Sequence, residues 1–548
     1  MSLIQFFIVG FALLTFNLWQ FAITGYWMLP KILFPAKDIF GDAHYARLSR
    51  IKQRVKSTWT IPLCLTVLAL ALTPWWRWDA IDTYNLLRPI ILVASGIVTW
   101  RAISMDLDLA TGTSYPGCRV LIVLAWIGVW FHPGFLILVL HTGITWLRSY
   151  YHHQHLAIRI MFMFLACLGA LPIISVVDLL LNTVTQYEFT TPTLFLFLCL
   201  CASHYFIPAI KKLSLGPHWY SWMLDNRLHS IAISSYLWGW VRFLPEDRVI
   251  RFVRFVRRFD RPFQIVTLTL QFSSIFILFD QSLCIALIVM FTTFNLTVAV
   301  LSGIFFWQWM VMNVLLVWAV WNLPPDVAAQ LFGFQNGLVA AAILILLPLR
   351  GKVWSPVRLG WWDTPFPCRV NYEVKGRSGT WYGLYNDFMC PNERIFGQEY
   401  GAFLSDEKRI NAHVGEAHKR EQFDALRAVG EDLSKLEQAK QEIGSSRYDP
   451  KLEAVHDRYI TAFIRNFNAG HRKRMIPAWL KAPGGQLFYW GTLPRFTGQE
   501  PIDELVVHYR EHYFDGQRVV RVTDRVVKKF GASELHGADE LGEPQPVS

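Results

Sequence analysis

Apolar runs of about twenty residues, nearly free of charge, recur along the first 350 residues, and no other feature restricts the fold of this chain as strongly. A helix needs about 20 residues to cross the hydrocarbon of a bilayer. Inside it, every backbone N–H and C=O must be satisfied within the segment. On that measure residues 3–29, 59–77, 84–103, 156–181, 191–210, 263–280, 282–302, 304–322 and 332–349 are expected spans. The run 118–147 is interrupted by His132-Pro133-Gly134, which predicts two short arms turned back on each other as a tilted or re-entrant hairpin. Hydrophobic residues make up 53% of the chain and charged ones only 17%, well under the ~25% charged of soluble domains, which excludes an ordinary water-soluble enzyme. The opening run lacks a basic leader and a small-residue cleavage site, so a retained first helix is expected rather than a signal peptide.

The net charge of +11 is spread between the apolar runs rather than gathered on one patch, which argues for membrane orientation and against nucleic acid. Alternate loops carry Lys31, Lys37, Arg47, Arg50, Lys52, Arg54 and Lys56, then Arg148, then the run from Arg242 to Arg261, then Arg350 and Lys352. The opposite loops carry Asp79, Asp82, Glu188, Asp280 and Asp326. The excess of positive charge on the inner side then places the C-terminal region in the cytoplasm and the N-terminus outside, with a bacterial inner membrane as the expected location. The order RVIRFVRFVRR puts Arg248, Arg251, Arg254 and Arg258 on one helical face with Val and Phe between them. An interfacial helix lying on anionic lipid is expected there, against a solvated basic loop as the plainer alternative.

After Arg350 the composition turns globular. Two strand-like arms flank Asp515-Gly516, a two-residue hairpin signal, and a second hairpin is expected at 369–385 with its turn near Gly376 to Gly379. Leu426, Val429, Leu433 and Leu436 form a helical stripe, and Leu452, Val455, Tyr459, Phe463 and Phe467 form another. The expected organisation is an α-helical polytopic membrane domain over 1–350, a soluble α+β domain over 351–530 and a disordered tail over 531–548. Counting the hairpin, nine to eleven spans are expected. Of the eight cysteines, Cys64, Cys167, Cys199, Cys201 and Cys284 sit inside apolar runs, where the thiol behaves as a small hydrophobe.

The chain has no phosphate loop, no GxSxG elbow, no HExxH and no dinucleotide fingerprint. Ionisable residues inside apolar runs are therefore the candidates for chemistry, because burying them in lipid is costly. One segment is Ser149-Tyr150-Tyr151-His152-His153-Gln154-His155, at the start of the run that continues as LAIRIMFMF; the other is His204-Tyr205-Phe206-Ile207-Pro208-Ala209-Ile210-Lys211-Lys212-Leu213. On a helix Tyr205 and Lys212 share one face, and His204 and Lys211 the neighbouring one. Two readings of the lysine pair stand. In an apolar pocket a lysine loses preference for its charged form and acts as a base; at a helix end it snorkels to the headgroups and sets topology.

HYFIPAIKKL resembles the catalytic-lysine segment of the vitamin K-dependent γ-glutamyl carboxylases and the wider HTTM membrane family. In that family a Tyr-Phe pair precedes Lys-Lys-Leu and the second lysine is the base, which here is Lys212. A functional His followed by Leu three residues on and Phe nine on matches His153, Leu156 and Phe162. The resemblance covers 118–240 and implies that Lys212 takes a proton from a reduced quinone of the vitamin K type. Reaction with O2 then makes a base strong enough to deprotonate a carbon acid that captures CO2. His153 would assist with a hydrogen bond or proton, Tyr205, His204, Lys211, Tyr151 and His152 would line the pocket, and no metal is implied. The acceptor would be a protein or peptide, or a lipid-like molecule.

Three rivals remain. His152, His153 and His155 with His141 and His204 suggest a histidine-box metal site, although imidazoles so close in sequence cannot all reach one ion. A membrane scaffold or export-assembly protein recruiting partners through its C-terminal domain needs no chemistry at all. A transporter is disfavoured because no internal repeat is visible.

Overall fold

The computed structural model describes residues 1–24, 60–104, 116–146, 156–182, 188–349, 354, 359–384, 402–410, 414–470, 477, 480–483, 487 and 492–531. In chain order the apolar half contributes α1 (Leu3–Thr24), α2 (Thr60–Ala71), α3 (Leu87–Ser104), α4 (Pro116–Val129), α5 (Leu136–His141), α6 (Leu156–Leu168), α7 (Leu171–Leu181) and α8 (Thr190–Leu213). It continues with α9 (Ser221–Asp225), α10 (His229–Trp238), α11 (Glu246–Arg257), α12 (Asp260–Ser273), α13 (Gln281–Ser302), α14 (Trp307–Trp321), α15 (Pro325–Leu331) and α16 (Phe334–Leu349). Among the described residues four helices are long and apolar enough to cross a membrane: α3, the α6–α7 run Leu156–Leu181, α8 and α13. A fifth counts if α14 and α15, bent by 118°, form one broken span. The remaining apolar helices are shorter.

Local chemistry explains the breaks. Pro133 and Gly134 interrupt α4 and α5, and the His132 Nδ1 accepts the Gly134 N–H at 3.0 Å to cap the turn, so the expected hairpin forms. The expected span at 59–77 ends early, because Pro74 opens the first of two single turns, Thr73–Trp76 and Trp78–Ile81, after α2. At the start of α8 the Glu188 carboxylate takes the N–H groups of Thr190 and Thr191 that the helix leaves unpaired. That helix is the axis of the bundle: 94% of its apolar window is buried inside the protein, against 33% for the peripheral α13. Side chains on α8 therefore meet protein rather than lipid.

The C-terminal region builds β1 (Trp362–Asp363), β2 (Cys368–Gly376), β3 (Trp381–Leu384) and β4 (Glu416–Ala417), then helices α17 (Arg420–Val429), α18 (Leu433–Ile443) and α19 (Pro450–Asn468), then β5 (Ile502–Phe514) and β6 (Val519–Gly531). The four-stranded antiparallel sheet runs β3-β2-β5-β6, and β1 pairs only with β4. Val370, Val374, Leu505 and Tyr509 from the sheet and Leu426, Ile460 and Phe463 from the helices share one core.

Both expected hairpins form. The long one turns one residue later than expected: the Asp515 N–H donates to the Arg518 carbonyl at 3.2 Å, which leaves Gly516 and Gln517 at the tip. Asp515 Oδ1 caps that tip by accepting the N–H groups of Gln517 and Arg518. The stripe from Leu426 to Leu436 is shared between two helices instead of one, because Gly430 stops α17 at φ 53° and Asp432 starts α18 by accepting the Ser434 N–H. The basic segment is helical as expected, but its inner face packs on protein. Val249, Ile250 and Val253 share a core with Ile233, Leu237 and Phe514. Arg254 points to the β5–β6 turn, where it donates to the Gly516 and Gln517 carbonyls; Arg248, Arg251 and Arg258 are exposed. The first basic loop and the tail beyond Gly531 lie outside the described residues.

Candidate functional site

Lys212 ends the central helix where the C-terminal region crosses it. Its Nζ donates to Gln271 Oε1 on α12 at 3.0 Å and to the Leu359 carbonyl at 3.2 Å, and it lies 5.3 Å from the centre of the Trp222 ring. An amide oxygen, a carbonyl and a π-face together suit an ammonium group with three donors. The crossing segment passes very close to the helix: a Cβ at Gly360 would sit 2.6 Å from Lys211 Cγ and 3.2 Å from the Lys212 backbone nitrogen. Only glycine fits there. The Trp222 indole donates to the Trp361 carbonyl at 2.9 Å, so the aromatic wall is fixed by the same segment.

One buried carboxyl group, Asp363, lies within electrostatic reach of this lysine, and a second, Glu416, lies beside Asp363. Asp363 on β1 stands opposite Glu416 on β4. Like charges directly opposite across a ladder repel, which favours the neutral form of at least one. Burial pushes the Asp363 carboxyl up to about 6 despite hydrogen bonds from Asn226 and Trp361 and the charge of Lys212. Burial, with the charge of Asp363, pushes Glu416 up to about 8. Asn226 ties the centre to the bundle: its Nδ2 donates to Asp363 Oδ2 at 2.7 Å, and its Oδ1 accepts the Asp363 N–H at 2.8 Å. Gln264 on α12 holds the Asn226 carbonyl at 2.6 Å. Asp225, next in the chain, pairs with Arg420, whose guanidinium covers the Trp362 ring at 5.1 Å. The segment Asp225-Asn226-Arg227 is thus the clasp between the two halves of the molecule.

Tyr205 and His204 lie about two turns deeper in the bundle, roughly 10–12 Å from Lys212 along the helix axis. The Tyr205 hydroxyl accepts from Asn295 Nδ2 at 2.8 Å and Asn313 Nδ2 at 3.0 Å, and its ring stacks on Phe291 at 3.9 Å. His204 Nδ1 donates to the Leu200 carbonyl at 2.6 Å, which leaves Nε2 to accept from Arg159 Nη1 at 3.2 Å. That pattern fixes a neutral imidazole with its proton on Nδ1. Lys212 faces α12, whereas Tyr205 faces α13 and α14 and His204 faces α6 and α14, where both rings meet Trp309, so the structure separates Lys212 from the other two. Lys211 is partly exposed at the helix end.

Tyr151, His152 and His153 lie outside the described residues; Leu156 and Phe162, expected to follow the functional histidine, are buried on α6. His141 bonds to the Ile23 carbonyl at 2.9 Å, and among the described residues no group of three His, Cys, Asp or Glu is placed to hold a metal ion. Gln271, Asp363, Glu416 and Asn226 were not expected from sequence. A polar residue inside an apolar run was the available signal for Gln271; the other three come together only through long-range contacts, Asn226 with Asp363 across 137 positions and Asp363 with Glu416 through the β1–β4 pairing. Comparison with family models, with curated proteins and with solved structures finds no match to this chain.

Proposed function

We propose that the chain is a polytopic membrane enzyme in which Lys212, Asp363 and Glu416 form an acid–base centre at the inner mouth of the bundle, acting on a quinol or lipid-like substrate. The carrying observation is a lysine within electrostatic reach of Asp363, which stands opposite a second buried carboxyl group, Glu416, the two acids having values near 6 and 8. Groups that titrate near neutrality exchange protons at working pH. Trp222 and the Phe206–Phe272 pair flank this end of α8 and suit the ring of a reduced quinone of the vitamin K type. Lys212 would first give its ammonium proton to Asp363; the neutral amine would then take the proton of a quinol hydroxyl, Gln271 would orient that hydroxyl, and Asp363 and Glu416 would pass protons on. When bound, the quinol supplies the reducing power for O2 chemistry, with CO2 and a protein, peptide or lipid acceptor completing a carboxylase-like reaction. Membrane insertion, an inner-membrane location in a bacterium and a cytoplasmic C-terminal region complete the reading, supported by the apolar helices and the basic inner loops.

The test is O2 uptake by the reconstituted protein with menaquinol, wild type against Lys212→Ala, with the quinone products followed by mass spectrometry. Uptake that disappears in the variant supports the enzyme; equal rates in both sink it.

One observation favours a scaffold instead. Gln271, the Leu359 carbonyl and the Trp222 face already satisfy the Lys212 ammonium, as expected of a purely structural joint. On that reading the C-terminal region recruits a partner, and Lys212→Ala loosens the joint with no quinol-dependent uptake in either protein.

A further inference from the structure

A second polar junction between the two halves behaves differently. It lies where the end of α10 and the loop Gly239–Leu244 meet the face of the sheet formed by β2 and β5. Arg369 on β2 stands opposite Arg510 on β5, and His512 follows two residues on, so all three project from one face. Arg521 lies opposite His512 on β6 and joins them. The acids of this face are already engaged. Glu373 binds Arg510 at 2.8 Å, and Asp524 binds Arg510 at 3.0 Å and Arg521 at 3.1 Å. Arg369, 5% exposed, donates through Nη1 to the Leu237 carbonyl. Its Nε, the Nε of Arg242 and the Nδ1 of His512 are buried with no hydrogen-bond partner.

Positive charge exceeds the acids here: Arg242, Arg369, Arg510 and Arg521 face only Glu373 and Asp524 among the described residues. Burial, then the charges of Arg369, Arg521, Arg242 and Arg510, hold the His512 imidazole down to about 3. Burial and the Arg242 and Arg510 charges likewise pull the Arg369 guanidinium down to about 9. Proteins rarely bury like charges with free donors unless something answers them. The backbone bears the same mark: Val241, β-branched, is held at φ 48°, a left-handed conformation such residues avoid, and Arg242 follows it directly. The Arg242 guanidinium lies over the Tyr236 ring at 4.7 Å.

We infer that Arg242, Arg369 and His512 form a binding site for a phosphate group. A tetrahedral oxyanion accepts donors arriving from several directions, and guanidinium groups match it well. Its position adjoins the expected membrane surface. Trp240 donates to the Val300 carbonyl at the end of α13, and a Cβ at Gly303 would meet its ring at 2.8 Å, so the site sits at the rim of a membrane-length helix. Beside it Phe243, Phe252 and Phe255 are exposed along with Arg248 and Arg251, the pattern of a surface that meets anionic headgroups. A phospholipid headgroup and free phosphate offer the same chemistry, and both probes are used below. The inference is independent of the Lys212 centre.

The test uses the purified, delipidated full-length protein. Inorganic phosphate is titrated at constant ionic strength by calorimetry, and retention of added phosphatidylglycerol is read by native mass spectrometry. Arg242→Gln, at a partly exposed position, is the main variant, with His512→Gln second. Arg369→Gln is avoided because it also removes the contact to Leu237. Each variant is expected to weaken binding roughly tenfold or more while keeping the wild-type circular dichroism spectrum. Retained phosphatidylglycerol that both variants lose marks a headgroup site, and phosphate binding alone, lost in both, marks a soluble phosphate site. Binding of neither probe by wild type, or binding that both variants leave unchanged, overturns the inference.

Discussion

Two junctions fasten the C-terminal sheet to the helical bundle, and they solve the cost of burying charge in opposite ways. At Lys212 the cation meets acceptors of the protein's own making, and the neighbouring carboxyl groups turn toward neutrality. At the second, Arg242 and Arg369 stand beside a His512 imidazole held neutral, and the Nε of each arginine and the Nδ1 of His512 find no hydrogen-bond partner. The first junction is complete as it stands, so removing a group from it should hurt. At the second, positive charge exceeds the acids that answer it, so removing a cation should cost little. The contrast shows why burial alone does not mark a functional residue: what matters is whether the surroundings answer the charge.

The largest expected effect tests the completeness of the first junction. Lys212→Met keeps the side-chain length but leaves Gln271 Oε1 and the Leu359 carbonyl without their donor, at a cost of about 2–3 kcal/mol. Thermal unfolding of the detergent-solubilised protein would show it, and an unchanged midpoint would mean that water replaces the ammonium freely. Asn226→Ala should come next, at about 2 kcal/mol, because it strips both bonds that bind Asp363 to the bundle. The same thermal scan checks this.

A smaller effect depends on pH and carries a definite sign. Asp363 and Glu416 have folded values near 6 and 8, above their ordinary 3.8 and 4.5, so the folded protein holds their protons more tightly than the unfolded chain does. Their contribution is fully present at acid pH below the ordinary values. It is lost as pH rises from there through about 6 for Asp363 and about 8 for Glu416, by up to about 1.4 kcal/mol per pH unit for each group. Glu416→Gln, which stays neutral, should flatten the fall between pH 6 and pH 8 in chemical-denaturation midpoints. A variant with the wild-type slope would move the titration to another group.

These junctions also mark where reading the sequence stopped. The helices were legible because hydrophobic run length and breakers such as Pro133 and Gly430 act locally. The sheet was legible for the same reason: Gly376 to Gly379 and Asp515-Gly516 bend the chain where they stand, although capping by the Asp515 carboxylate moved the second tip one residue on. Lys212 stood out as a cation at the end of an apolar run. Its acceptors did not, since Gln271 is 59 positions away and Leu359 is 147, and no periodicity encodes such distances. Tyr205 and Lys212 share a helix and a heptad spacing, yet the bundle turns one toward Asn295 and Asn313 and the other toward Gln271. Shared spacing on a buried helix fixes direction; the neighbour at that depth is a tertiary outcome.

The smallest expected effect is the sharpest test of the comparison. Arg242→Gln removes a buried-edge cation that pairs with no acid at the second junction, repels Arg369 and disfavours protonation of His512. In phosphate-free buffer the stability change should stay within about 0.5 kcal/mol, because the lost contact with the Tyr236 ring is offset by relief of that repulsion. Relief of repulsion also lets the imidazole take a proton more easily. The His512 titration, read by NMR, should therefore move up from about 3 toward the ordinary histidine range. A large loss of stability would instead place Arg242 in the same class as Lys212, a cation whose partners are all within the chain, and the distinction between the two junctions would fall.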